Sequence, residues 1–257
     1  MFEQISQRMH SRSAALLLAL DDRLDRILQA WLLIAGLLAA ARIAFTPLTA
    51  PVASFSTFAS YMLLVVAPFV STLLALRWFA DGDRQQQPST RLAVLGRWRP
   101  VSLAEARRHP LYGSSGFMAS LLIGIMLNVP VRAAEYLAAI PPIGLDAPAW
   151  LSTLRFAMTL DVVLFGSLYM IAFVAALRRV PLFPRLLAAI WVADLTMQLV
   201  TANLVVRTGN LPPAVADALH SLLAGNVKKV LISAALWLPY LLLSNRVNVT
   251  FRHRVPA

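Results

Sequence analysis

The chain has 257 residues, of which 59% are hydrophobic and only 14% charged, against a charged share near a quarter in soluble domains. A globular core of this size cannot hide that much apolar surface, whereas a bilayer can. The net charge of +11 and a pI near 11.3 suggest a nucleic-acid binder until the charges are placed along the chain. The basic residues are 21 Arg against 2 Lys, a bias that, with abundant Ala, suits a GC-rich bacterial genome. The absence of cysteine excludes disulfides, thiolate nucleophiles, Cys-ligated zinc and iron–sulfur clusters.

At the N-terminus, Ala14–Leu20 is too short an apolar run for a cleavable signal, and Asp21, Asp22, Arg23, Asp25 and Arg26 follow it. The first true span is therefore expected to act as an uncleaved insertion signal. Residues 13–30 carry apolar residues at helical spacing with Asp and Arg between them. Two readings stand: an amphipathic helix on the membrane surface, and a straight extension of the first span.

Crossing a bilayer takes about 20 mostly apolar residues. Six stretches qualify: Ile27–Phe45, Phe55–Phe79, Gly113–Leu137, Trp150–Leu177, Phe183–Val206 and Val227–Leu243. The connections are polar or proline-bearing: Pro47 and Pro51 in the first, Gln85-Gln86-Gln87-Pro88 in the second, and Pro141, Pro142 and Pro148 in the third. A short surface helix is expected between Pro212-Pro213 and Gly225, ahead of the sixth span. Of the 23 basic residues, 17 fall in the N-terminal segment, the second and fourth connections and the C-terminal tail, and none in the other three connections. This alternation predicts both termini in the cytoplasm. It also turns the high pI into a topology signal and removes nucleic acid as a partner. The expected organisation is a cytoplasmic amphipathic segment (1–26), two spans (27–80), a basic loop (81–112), a four-helix membrane region (113–245) and a basic tail (246–257). The fold class is thus an all-α, polytopic transmembrane helical bundle of about six spans, placed in a bacterial inner membrane.

Charge inside a bilayer costs roughly 2.5–3.5 kcal/mol per residue on insertion scales, so it marks either function or internal glue. Arg132, Glu135, Arg155, Asp161, Asp194, Lys228 and Lys229 fall within the expected spans or at their outer ends. With Asn128 and Gln198 they form the candidate intramembrane polar cluster, all at or above the midplane on the outer side. In the third span Gly116, Ser120, Gly124, Asn128 and Arg132 recur every four residues on one face. The first three are expected to let a neighbouring helix approach. Pro130 is expected to kink this span, with Asn128 or water satisfying the freed carbonyl of Met126.

Two readings of the cluster remain open. In one, the residues line an outward-facing pocket for a lipid or an anionic solute, with Asp161 and Asp194 as proton-linked carboxylates. In the other, pairs such as Asp161–Lys228 or Glu135–Arg132 only set helix register, or the lysines and Arg132 snorkel to the outer headgroups. His10, His109, His220 and His253 have no partner at ligand spacing, so no metal and no cofactor is expected. No phosphate loop, nucleophile elbow or zincin pattern occurs, so no catalytic residue is assigned.

The C-terminal residues carry a resemblance. Trp237, Pro239 and Tyr240, then Ser244, Arg246 and Val247, then Thr250 and Phe251 resemble the ending of the bacterial membrane family known as domain of unknown function 2569. The likeness covers about fifteen residues closely and extends weakly over 113–254. It implies a multi-span bacterial membrane protein and supplies no catalytic residue. Pro239 is expected to kink or end the last span, with Trp237 and Tyr240 near the inner interface and Ser244-Asn245-Arg246 a possible docking edge. The partners expected are the lipid bilayer and, as an open alternative, another membrane protein or a second copy of the chain. The functional expectation is a transporter-like or ligand-binding protein, with a non-catalytic scaffold of an envelope complex as the alternative.

Overall fold

The computed structural model describes residues 2–46, 55–90, 92, 96–142, 147–209 and 211–257, with side chains described from residue 11 and, after the first connection, from residue 58. Pro47, Pro51, Arg91 and part of the third connection (143–146) lie outside the described residues, as do the side chains of Arg8 and His10. In chain order the helices are α1 (Phe2–Asp22), α2 (Leu24–Ala44), α3 (Phe55–Trp78), α4 (Leu103–Arg108), α5 (Phe117–Ala139), α6 (Ala149–Leu177), α7 (Phe183–Val206), α8 (Pro213–Leu243) and α9 (Asn245–Arg252). Six of them, α2, α3, α5, α6, α7 and α8, have the length and apolarity to cross a membrane. The chain is a polytopic all-α bundle.

The bundle is arranged around α6, which packs against α3, α5 and α7; α2 lies on α3 and α5, and α8 on α7. Two apolar clusters divide the core by depth. One gathers Leu17, Leu28, Met118, Phe173, Phe183, Val247 and Phe251. The other gathers Ala39, Tyr61, Tyr136, Leu154, Val205 and Leu219 at the opposite end. Large apolar side chains such as Leu33, Leu37, Val192, Leu199 and Ile232 remain outward. On a soluble protein such exposure would drive association, but on a bundle in hydrocarbon it faces lipid.

A one-residue break at Arg23 separates α1 from α2, while backbone bonds from the Arg23 amide to Ala19 and from the Ile27 amide to Arg23 carry the helical ladder across it. Asp21 pairs with Arg178 at 3.2 Å, and Ser13 Oγ accepts from the Gly116 amide at 2.7 Å. The second connection carries more structure than its polar sequence suggests. A 3₁₀ turn (Gly82–Arg84) is followed by strand β1 (Trp98–Pro100) and by α4. Ser102 caps α4, its hydroxyl accepting from the Glu105 amide at 3.2 Å, a Ser-x-x-Glu capping arrangement. Strand β1 pairs antiparallel with β2 (Arg254–Pro256). Three residues per strand are too few to show a period-two pattern, which is why the ribbon is absent from the sequence expectation.

The expected surface helix and sixth span are one 31-residue helix, α8, about 46 Å long at 1.5 Å per residue. Gly225 does not end it: one glycine costs about 1 kcal/mol against Ala, and the backbone ladder continues while Leu219, Leu223 and Val230 stay buried. Nor does Pro239 end it, since the helix runs on to Leu243. Helix α5 likewise continues through Pro130. Asn128 makes no hydrogen bond to Met126, and its Oδ1 is buried with no partner among the described residues. The small-residue face of α5 is also not a packing seam. Ser120 and Gly124 are exposed, and a Cβ added at Gly124 would meet nothing within 4 Å. Close approach occurs instead between α3 and α6, where a Cβ at Gly166 would lie 3.3 Å from Pro68 Cγ.

Candidate functional site

The polar residues of α5, α6 and α7 converge at mid-bundle. Arg132 of α5 spans two helices: Nη1 donates to Asp161 Oδ2 of α6 at 2.6 Å, and Nη2 donates to Asp194 Oδ2 of α7 at 2.6 Å. Gln198 Nε2 donates to Asp161 Oδ1 at 3.0 Å and to Asp194 Oδ1 at 3.2 Å. Tyr169 donates its hydroxyl to Asp194 Oδ2 at 3.0 Å. The guanidinium carbon of Arg132 also lies 5.1 Å from the Phe165 ring centre, within cation–π range. Asp194 is fully buried, and Asp161 is 4% exposed.

Spacing explains how one helix supplies so much of this. Asp161, Phe165 and Tyr169 are four apart and share a face of α6, as Asp194 and Gln198 do on α7. That repeat was available in the sequence, and Tyr169 and Phe165 could have been added to the candidate residues from it. Asn226 of α8, which reaches Gln198 Oε1 at 3.4 Å, has no such signal.

The expected pairs are not the ones formed. Lys229 pairs with Glu135, while Asp161 takes Arg132 and not Lys228. Residues three apart on a helix stand about 60° apart around its axis. Arg132 therefore faces α6 and α7 while Glu135 faces α8. Lys228 is exposed and makes no ion pair among the described residues. Arg155 is not part of the cluster and lies within electrostatic reach of Tyr61 and Tyr136.

Beside the cluster is a cavity of about 50 Å³ whose lining includes Asn128, Arg132, Glu135, Tyr169, Asn226 and Lys229. It has room for a few water molecules. Asn128, Arg132, Glu135 and Lys229 thus share one space, which Arg132 and Lys229 face already paired with carboxylates.

The C-terminal residues build the basic end. Trp237 and Tyr240 stack on Phe117, with ring centres 4.8 and 5.2 Å apart. Thr250 Oγ1 accepts from the Gly113 amide at 3.0 Å, and Arg246 Nη1 donates to Ser115 Oγ at 3.2 Å. Phe251 packs on Phe183 with ring centres 5.2 Å apart, and Val247 is fully buried. Ser244-Asn245-Arg246 thus leads into a helix docked on this chain's own second connection. The tail from 246 is mostly inside the fold. Burial, reinforced by Arg254 and Arg185, brings the Arg252 guanidinium down to about 10, and it donates to the Leu241 carbonyl at 2.8 Å.

A second charged centre, absent from the sequence expectation, sits at the same end. Arg107 of α4 grips Asp83 through Nε and Nη2 at 2.9 and 2.7 Å, and the Tyr112 hydroxyl donates to the same carboxylate. Burial pushes the Asp83 carboxyl up, but the bonds from Arg107 and Tyr112 outweigh it and hold it below its usual value. Burial and the neighbouring carboxylate raise the Tyr112 phenol. Gly82 is required beside it: its φ is +51°, and a Cβ there would sit 2.4 Å from the Arg178 carbonyl oxygen. No family model, curated protein or solved structure matches this chain.

Proposed function

We propose that the chain is a transporter-like protein of the bacterial inner membrane in which Asp161 and Asp194 together bind and release one proton. The observation that supports this is a charge imbalance: two carboxylates share one guanidinium, and both are buried. A residual negative charge in a low-dielectric interior is costly, and a proton shared between paired carboxylates removes it. The adjoining cavity gives water a place beside Arg132. Its size favours a proton over a larger anionic solute, and only Arg132 and Lys229 among the expected cations line it. The second reading, a scaffold whose polar cluster only sets register, is favoured by the closure of the hydrogen bonds around Arg132 and Gln198. The C-terminal likeness to domain of unknown function 2569 supports membership of that family as part of the proposal.

The chain contains no cysteine, so single cysteines are assignable. Asn128→Cys and Ser233→Cys line the cavity without touching the two aspartates. Labelling of both by an impermeant thiol reagent from outside intact spheroplasts, with a pH dependence that differs from that of an exposed control cysteine and that is lost in an Asp161→Asn background, is the expected result. Silence at both, with a cysteine in the third connection labelling normally, would overturn the proton reading in favour of the scaffold.

A further inference from the structure

Two cavities adjoin at the basic end, and they differ in chemistry. One, of about 280 Å³, has a mainly apolar surface from Ala14, Leu17 and Leu18 of α1 and Leu177 at the end of α6, with Tyr112 and the 113–115 turn completing its wall. The other, of about 270 Å³, is lined by Arg84, Arg107, Arg178 and Arg179 together with Asp21, Asp81 and Asp83. Asp21, Leu177 and Arg179 belong to both, so the two are halves of one amphipathic recess. Together they reach the size range of sites for small organic ligands, about 300–1,000 Å³.

The charges of the polar half are only partly spent. Arg107 is held by Asp83 and Arg178 by Asp21. Arg84 and Arg179 make no ion pair among the described residues. Asp21, Asp81 and Asp83 share the cavity with them, Asp21 and Asp83 already bound to Arg178 and Arg107, so four guanidinium groups there face three carboxylates. Arg179 is held over the Tyr112 ring at 5.6 Å and has a φ of 59°. This left-handed conformation suits glycine and strains a side chain. Here it ends α6: the Val180 amide donates to the Ala175 carbonyl at 2.8 Å and the Arg179 amide to the Ala176 carbonyl at 3.2 Å, a Schellman cap with Arg179 at its left-handed position, which leaves the guanidinium at the cavity mouth. The recess lies where α3 and α6 end and α5 begins, beside the exposed Trp78. The distribution of basic residues assigns this end to the cytoplasmic leaflet, which is rich in anionic lipid.

We propose that this recess binds one anionic phospholipid of the inner leaflet, its phosphate between Arg84 and Arg179 and an acyl chain against Leu17, Leu18 and Leu177. Guanidinium groups suit phosphate through charge-assisted hydrogen bonds. The site does not depend on the aspartate pair.

The test uses the full chain purified in neutral detergent and titrated with phosphatidylglycerol or phosphatidylcholine, with retained lipid counted by native mass spectrometry. One phosphatidylglycerol is expected to be held at concentrations where phosphatidylcholine is not. Arg179→Gly relieves the backbone and removes the charge, so the protein should fold and bind about tenfold less tightly. Ala14→Phe, which fills the apolar half, should weaken binding similarly. Arg207→Gly, on a helix end away from the recess, should leave it unchanged. Equal retention of both lipids, or wild-type retention in Arg179→Gly and Ala14→Phe, would overturn the proposal. Full displacement by millimolar inorganic phosphate would also overturn it, because the recess would then be a site for free phosphate with no use for its apolar half.

Discussion

At the residue scale the chain is organised by charges whose partners are unequal in number. Arg132 is the single cation between two buried carboxylates, so its loss leaves both uncompensated. Breaking a buried ion pair from one side costs about 3–5 kcal/mol. Arg132→Leu is therefore expected to fail to accumulate in the membrane. The triple change Arg132→Leu, Asp161→Asn, Asp194→Asn should recover much of the wild-type yield, as judged by fluorescence-detected gel filtration. If the single and triple variants accumulate equally, the stability attributed to this charge balance is wrong.

Asp83 gives the clearest pH dependence. Its folded value is depressed relative to an ordinary aspartate near 3.9. Its contribution is therefore complete above about pH 4 and is lost as the pH falls through the lower folded value. Asp83→Asn should lower stability by about 2 kcal/mol at pH 7, the scale of hydrogen bonds to a charged group. Thermal melts of the two proteins in detergent should converge as the pH falls through that lower folded value. A gap that persists there would assign the effect of Asp83 to shape rather than charge.

At the element scale the decisive contacts join helices far apart in sequence. Gly166 of α6 lets α3 come within reach at Pro68, where a helix already lacks one backbone donor. The Pro68 carbonyl accepts from both the Ser71 and Thr72 hydroxyls, at 3.0 and 2.6 Å. One turn earlier, the Val65 carbonyl accepts from the Trp31 indole of α2 at 2.8 Å. Three helices therefore meet at this irregularity. Gly166→Leu is expected to destabilise the bundle by about 1–3 kcal/mol through overpacking, read as a lower melting temperature. Gly124→Leu on the exposed face of α5 should leave it nearly unchanged. The pair reverses the expectation drawn from the every-fourth-residue pattern of α5, in which Gly124 was to be the close-packed position.

The C-terminal elements show the same dependence on distant partners. Thr250 reaches the Gly113 amide and Gln87 reaches the Phe251 carbonyl at 3.2 Å, while β2 pairs with β1. Thr250→Val is expected to remove about 1 kcal/mol. It should also speed amide hydrogen exchange at Gly113, a readout that simple loss of volume would not move.

At the scale of the whole molecule, the number of spans and their helical nature were legible in the chain itself, as were their boundaries to within a few residues except at the start of α8, which lies at Pro213 and not Val227. Hydrocarbon supplies no hydrogen-bond partners, so an apolar stretch of the right length has to close its own backbone bonds as a helix. Length and apolarity therefore identify it without knowledge of its neighbours. The placement of basic residues carried the topology expectation for a similarly local reason. Arg132, Asp161, Asp194 and Gln198 stood out in the sequence, because charge and polarity inside an apolar run contrast with their surroundings. Arg155 and Lys228 stood out equally and do not join them, and Tyr169 and Asn226 join them without standing out. The pairing was not legible, since it depends on how α5, α6 and α7 are rotated against one another. That rotation is decided by side-chain fit between helices and leaves no periodic trace in any one of them. The same limit applies to the Asp83–Arg107–Tyr112 centre, to the β1–β2 ribbon and to the amphipathic recess beneath α1. The sequence alone determined which segments enter the membrane, because each segment meets lipid independently. Tertiary structure decided which charges meet and where cavities open, because those outcomes belong to surfaces formed only when several helices pack.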